Sequence, residues 1–110
     1  MSYKLRTTDN FDKNLKRLGK RYKSLKTDYA SFLDELERNP TNGIALGKSC
    51  YKVRMAISSK NKGKSGGARV ITCVKIVNET VYLLSIYDKS EQDSISQNDL
   101  DNLLELAGLA

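Results

Sequence analysis

The hydrophobic period changes once along this chain, and a proline marks the place. Before Asn39-Pro40, apolar residues recur at helical spacing: Phe11, Leu15, Leu18 and Tyr22, then Leu25, Tyr29, Phe32, Leu33 and Leu36. The residue ahead of a proline is pushed out of the α region, so the second run must end there. After a polar stretch over 41–49, the period drops to two. In YKVRMAI, Val53, Met55 and Ile57 fall on one side, and Lys52 and Arg54 on the other. A chain that switches in this way has to place a helical hairpin against a sheet.

The remaining elements follow the same logic. YKLRT at 3–7 alternates and reads as a short strand, and Asp9 or Asn10 is the expected cap of the first helix. Gly19 weakens that helix by about 1 kcal/mol relative to Ala without ending it. Strands are expected over 68–76 and 81–87, joined by a turn at Asn78-Glu79. Ser96 followed by Asp99 is a capping box that opens a last helix through Leu100, Leu103, Leu104 and Leu106. The expected fold class is α+β: a small, mostly antiparallel β-sheet packed against an N-terminal helical hairpin and a C-terminal helix, in the order β-α-α-β-β-β-α. At 110 residues it forms one domain, residues 1–110, on a single core.

Composition removes whole classes of function. With no histidine, imidazole metal sites and Ser-His or Cys-His nucleophile pairs are excluded. Cys50 and Cys73 match no zinc spacing and are expected to be reduced and packed. No cofactor is expected. No apolar run is long enough to span a membrane, and MSYKLRTTDNF lacks the apolar stretch of a signal peptide, so the expected location is cytoplasmic.

Charge is informative by its distribution. Residues 1–75 carry 18 Lys/Arg against six Asp/Glu, while residues 76–110 carry one against seven. Such asymmetry points to a polyanionic partner for part of the surface. Two groups of cations stand out. Lys16 and Lys20 belong to a basic run on the first helix, which is either a solvated face or an RNA-binding one. The second group surrounds SSKNKGKSGGAR, residues 58–69, with Lys60, Lys62, Lys64 and Arg69. Gly63-Lys64-Ser65 looks like the end of a P-loop, but that motif needs glycine at position 58, where Ser58 stands, and a helix rather than a strand afterwards. The expectation is a mobile loop whose lysines and backbone N–H groups meet phosphate oxygens. If the flanking strands pair, Lys52, Arg54, Arg69 and the loop lysines gather at one end of one face.

CYKVRMAI, KGKSGGARVI and VYLLSIYDKSEQDSIS, taken in this order, resemble the RelE/HigB-like toxins of bacterial type II toxin–antitoxin systems, within the RelE/ParE superfamily. The resemblance runs from Phe11 to Leu106. It implies a ribosome-dependent endoribonuclease that cleaves mRNA without a metal, inhibits translation and is restrained by a cognate antitoxin. Its partners are then the antitoxin, the ribosome and mRNA. Lys52 and Arg54 fall on the family's paired strand cations, Arg69 on its arginine in the following strand, and Lys89 on its basic position after the last strand. RelE places a tyrosine near its C-terminus as general base; Asp93-Ser94-Ile95-Ser96 has none, which leaves Tyr87, Asp88 and Asp93 as candidates.

Cleavage through the 2′-OH requires an in-line nucleophile, charge stabilisation at the phosphorane and proton transfer at two oxygens. Arg54 and Arg69 suit the charge, since a guanidinium is a permanently protonated planar fork. Lys52, with cations around it, is expected to titrate lower than usual and to move protons. Two other readings stay open: a ParE-like DNA gyrase inhibitor, and a basic RNA-binding module without catalysis.

Overall fold

The computed structural model describes residues 3–110. Strand β1 (Lys4–Thr7) leads into helices α1 (Asp9–Arg21) and α2 (Leu25–Arg38), then β2 (Ile44–Gly47) and β3 (Cys50–Met55). A 3₁₀ turn (Ser58–Lys60) and the one-turn helix α3 (Gly63–Gly66) precede β4 (Ala68–Lys75), β5 (Thr80–Asp88) and α4 (Gln97–Leu106). The five strands lie in the order β1-β5-β4-β3-β2; β1 pairs with β5 in parallel and every other neighbour is antiparallel. The α+β class and the order of the expected elements hold.

Three local expectations change. The cap of α1 is Thr8, not Asp9 or Asn10. Thr8 is extended at φ −102°, its backbone N–H donates to the Leu83 carbonyl of β5, and its side chain accepts from the Phe11 N–H. Asp9 and Asp12 instead occupy the first turn, where negative charge meets the helix dipole. Ile44–Gly47, read as loop, is an edge strand paired with β3 through a turn in which Lys48 and Ser49 are both left-handed. The glycine loop is folded rather than loose. Asp28 accepts from the Ser58 N–H at 2.8 Å, Ser24 Oγ accepts from the Ser59 N–H at 2.9 Å, and the 3₁₀ turn and α3 fill the rest.

The sheet is covered on both faces, so two clusters replace the single expected core. On one face Phe11, Leu18, Leu25, Phe32 and Leu36 of the hairpin pack on Val53, Met55, Val70 and Ile86. Asn14 joins α1 to β5 by accepting from Ser85 Oγ at 2.9 Å and from the Ile86 N–H at 3.3 Å, beside the register shift between β4 and β5. On the other face, Leu100 and Leu104 of α4 seal Cys50, Ile71, Cys73 and Leu84. The two cysteines are free and buried opposite each other across β3 and β4; both thiols donate to the Lys48 carbonyl, and the neighbouring Cys73, with burial, pushes the Cys50 thiol up. Helix α4 is short and covers this second face only in part. Among the described residues no helix is long and apolar enough to cross a membrane.

Candidate nucleic-acid interface

Beyond α4 the sheet carries a row of polar side chains. Arg54 of β3 stands opposite Arg69 of β4, and Arg69 stands opposite Tyr87 of β5. Lys52, two residues before Arg54, projects to the same side. Two like charges directly opposite on neighbouring strands are unfavourable. Only one of them is compensated within the protein. Arg69 is buried at 4% exposure; its Nη1 donates to the carbonyls of Lys64 (3.3 Å) and Ala68 (3.2 Å), and its Nη2 to Ser65 (2.9 Å). Arg54 is exposed and has no hydrogen-bond or ion-pair partner among the described residues.

Lys52, Arg54 and Arg69 line one cleft of about 580 Å³ together with Gly43, Lys64 and Asp93. That volume falls within the range of about 300–1,000 Å³ typical of ligand sites. Its far wall comes from the chain entering β2, where Gly43, one residue ahead of the strand and at φ +110°, lies so close that an added Cβ would be 2.4 Å from the Lys52 carbonyl oxygen. The segment after β5 forms the rim. Lys52 Nζ (3.2 Å) and the Tyr87 hydroxyl (3.4 Å) both donate to the Asp93 carbonyl oxygen, and the exposed Asp93 carboxylate lies 4.0 Å from Arg69 Nη2. Burial pushes the Tyr87 phenol up, against a smaller opposing pull from Arg69, so Tyr87 is a proton donor at neutral pH and a poor base.

The other cations expected at the site are dispersed. Lys64 reaches the cleft, but its ammonium is engaged with Glu35 at 2.9 Å in an exposed pair worth under about 1 kcal/mol, which a phosphate can displace. Lys62 is exposed on the loop and does not line the cleft. Lys16 and Lys20 are exposed on α1, whose packing side is the opposite face of the sheet. Lys89 does not line the cleft either; its backbone N–H holds the Gly67 carbonyl at 3.1 Å. Lys60 departs furthest from expectation. Its side chain is only 8% exposed and its ammonium is 2.7 Å from the Asp88 carboxylate, so the loop's first lysine forms an internal ion pair and does not line the cleft.

Asp88 is likewise removed from the list of bases. Its side chain is fully buried on the hairpin face, where it accepts from Lys60, from the Tyr22 hydroxyl and from Ser90 N (2.9 Å) and Oγ (2.7 Å). Burial alone would raise its pKa; the donors reverse that and hold the carboxyl well below the usual carboxylate range. A depressed folded-state pKa stabilises the fold above the unfolded value near 3.9 and ceases to do so as pH falls through the folded value. Urea midpoints are therefore expected to be flat from about pH 7 to 5 and to decline below about pH 4, with a shallower decline in Asp88→Asn. An identical acid limb in the variant would contradict this role for Asp88.

Sequence reasoning missed Gly43, the Asp93 carbonyl and the Lys64 and Ser65 carbonyls because backbone groups leave no residue-type signature. Comparison with known proteins agrees with the fold. The family model described as the RelE toxin of the RelE/RelB toxin–antitoxin system matches residues 9–110. A mutant of the E. coli toxin RelE in the free state superposes with a TM-score of 0.61 at 17% identity, covering 98% of this chain and 96% of that one. The toxin–antitoxin complex RelBE2 from Mycobacterium tuberculosis gives 0.59 at 16% identity, over 80% of this chain and 99% of its counterpart. The intact E. coli RelBE complex gives 0.57 at 19% identity, over 78% and 95%. At these identities the structural likeness is one of fold, and the family model spans nearly the whole sequence. The chain belongs to the RelE toxin family.

Proposed function

We propose that the chain is the toxin of a type II toxin–antitoxin module and that it cleaves mRNA on the ribosome. The observation that carries this reading is the cation row: Arg54 without a partner beside Arg69, with Lys52 on the same cleft. An anion between the two guanidinium groups relieves their repulsion, and a phosphodiester is an anion of the right shape for two planar forks.

In the proposed reaction the ribose 2′-oxygen attacks the adjacent phosphorus, the 5′-oxygen leaves, and a 2′,3′-cyclic phosphate and a free 5′-hydroxyl result. Arg54 and Arg69 take up the negative charge of the phosphorane, the part that a divalent cation plays elsewhere, so the reaction is read as metal-independent. Tyr87 or Lys52 gives a proton to the leaving oxygen. Asp93, the carboxylate on the cleft, is the base of choice for the 2′-OH, because Asp88 is sequestered on the other face. The same cationic cleft suits inhibition by an antitoxin segment of opposite charge, and two of the similar folds were solved as toxin–antitoxin complexes.

Brief expression from a tight promoter, followed by mapping of mRNA 5′ ends, is expected to give cuts in phase with codons inside translated regions and arrest of translation in the cytoplasm. Intact mRNA with induction of the DNA-damage response would instead favour gyrase poisoning. Intact mRNA without that response would leave a binding module.

A further inference from the structure

The ion pair of Lys60 and Asp88 lies behind the sheet from the cleft, yet its covalent and hydrogen-bonded neighbours are the ones that hold Arg69. Lys60 Nζ, 2.7 Å from Asp88, also donates to the Gly67 carbonyl at 3.4 Å, and the Lys89 N–H reaches the same oxygen at 3.1 Å. Gly67 is bracketed by the carbonyls that grip the Arg69 guanidinium: Lys64 and Ser65 before it and Ala68 after it. Asp88 is itself the strand partner of Ala68. Tyr22, at the end of α1, donates to Asp88, and its ring lies 5.6 Å from the Lys60 ammonium.

A pair this deeply buried needs an explanation other than stability. Desolvating both ions costs about what their attraction returns, and an uncharged pair of similar shape is often as stable. What such a pair does supply is a single geometry for the segment it ties. Here that segment is the end of the glycine loop, where Lys60 reaches the Gly67 carbonyl.

We infer that Lys60 and Asp88 are positioning residues: from the hairpin face they lock the glycine loop so that its carbonyls aim the Arg69 guanidinium into the cleft on the opposite face. This inference rests on the nuclease reading for its effect on rate, but not for its effect on Arg69.

The test uses the purified full-length chain as Lys60→Met, Asp88→Asn and the double variant, which removes both charges while keeping side-chain shape. Three readouts separate the possibilities. The NMR signal of the Arg69 Nε–H is expected to shift and to exchange faster with water in every variant, whether or not RNA is cleaved. Cleavage of ribosome-bound mRNA is expected to fall about tenfold or more in kcat with KM nearly unchanged, and the double variant to be no slower than the worse single one. In an Arg69→Gln background, Lys60→Met is expected to leave the salt slope of RNA binding unchanged, whereas loss of a phosphate contact of Lys60's own would reduce it further, by about 0.7–0.9. An unmoved Arg69 signal, or a salt slope that falls further in the Arg69→Gln background, overturns the inference. Should a single variant fail to fold, Lys60→Arg and Asp88→Glu are expected to fold and to retain the wild-type Arg69 signal; a shifted signal there also counts against it. A wild-type protein that cuts no RNA sinks the nuclease reading alone and leaves the NMR result to decide the positioning role.

Discussion

Arg69→Lys is expected to slow cleavage of ribosome-bound mRNA by about 10²–10³-fold, or about 2.7–4 kcal/mol of transition-state stabilisation, by analogy with removal of an oxyanion-hole donor. A guanidinium has five N–H donors in one plane. In Arg69, three of the donations go to the carbonyls of Lys64, Ser65 and Ala68, which leaves the other donors for a ligand in the cleft. A lysine ammonium has three donors around one atom. Satisfying the same carbonyls exhausts them, so charge is retained while the face toward the phosphate is lost. This variant is more informative than Arg69→Ala. Alanine would leave two loop carbonyls and that of Ala68 without their donor, each worth up to about 1–3 kcal/mol if buried, and would mix folding with chemistry. Single-turnover rates with wild-type and Arg69→Lys protein decide the matter, with thermal melts as a check on folding. A lysine variant that cuts at the wild-type rate would show that only charge at this position counts.

The cation row was legible because strand alternation is strict. Once residues 51–57 are read with period two, Lys52 and Arg54 must share a side, and pairing of β3 with β4 brings Arg69 beside them. The helices were legible for the same reason, since Phe11, Leu18, Leu25, Phe32 and Leu36 are the buried stripe that their spacing requires. Lys60 was not. In KNKGK, Lys60, Lys62 and Lys64 look alike, and what separates them lies far along the chain: Asp88 for the first, Glu35 for the last. Tyr22 hid its role in a similar way. It fits the apolar stripe of α1, yet its hydroxyl serves Asp88, 66 residues later. Strand β2 escaped because its edge position leaves Ile44 and Ala45 exposed, so no alternation is imposed on its sequence. The parallel pairing of β1 with β5 is likewise a product of chain topology, and four residues carry no sign of direction.

The second large effect is expected at Gly67, and it separates packing from flexibility as the reason for a glycine. If the loop's glycines served mobility alone, alanine at 63 and at 67 would cost alike. They stand in different surroundings. Gly63 has a left-handed φ of +64° and open space around it, so Gly63→Ala meets only the conformational penalty of about 1–2 kcal/mol. At Gly67 an added Cβ would lie 2.2 Å from the Met55 carbonyl oxygen, 2.8 Å from the Ile57 nitrogen and 3.0 Å from the Ala56 Cα. All three are backbone atoms at the end of β3, and none can swing aside as a side chain can. Relief requires β3 and β4 to part where Met55 pairs with Ala68, one step from the Arg54–Arg69 pair. We expect Gly67→Ala to cost about 3 kcal/mol, at the upper end for overpacking, and to lower the thermal midpoint by about 12–20 °C. Cleavage should fail as well, even well below the new midpoint, because the two guanidinium groups no longer face one phosphate. A Gly67→Ala protein that melts within a few degrees of wild type would mean that the loop is not pressed against β3 in solution, and with it would go the rigid cradle assigned to Arg69.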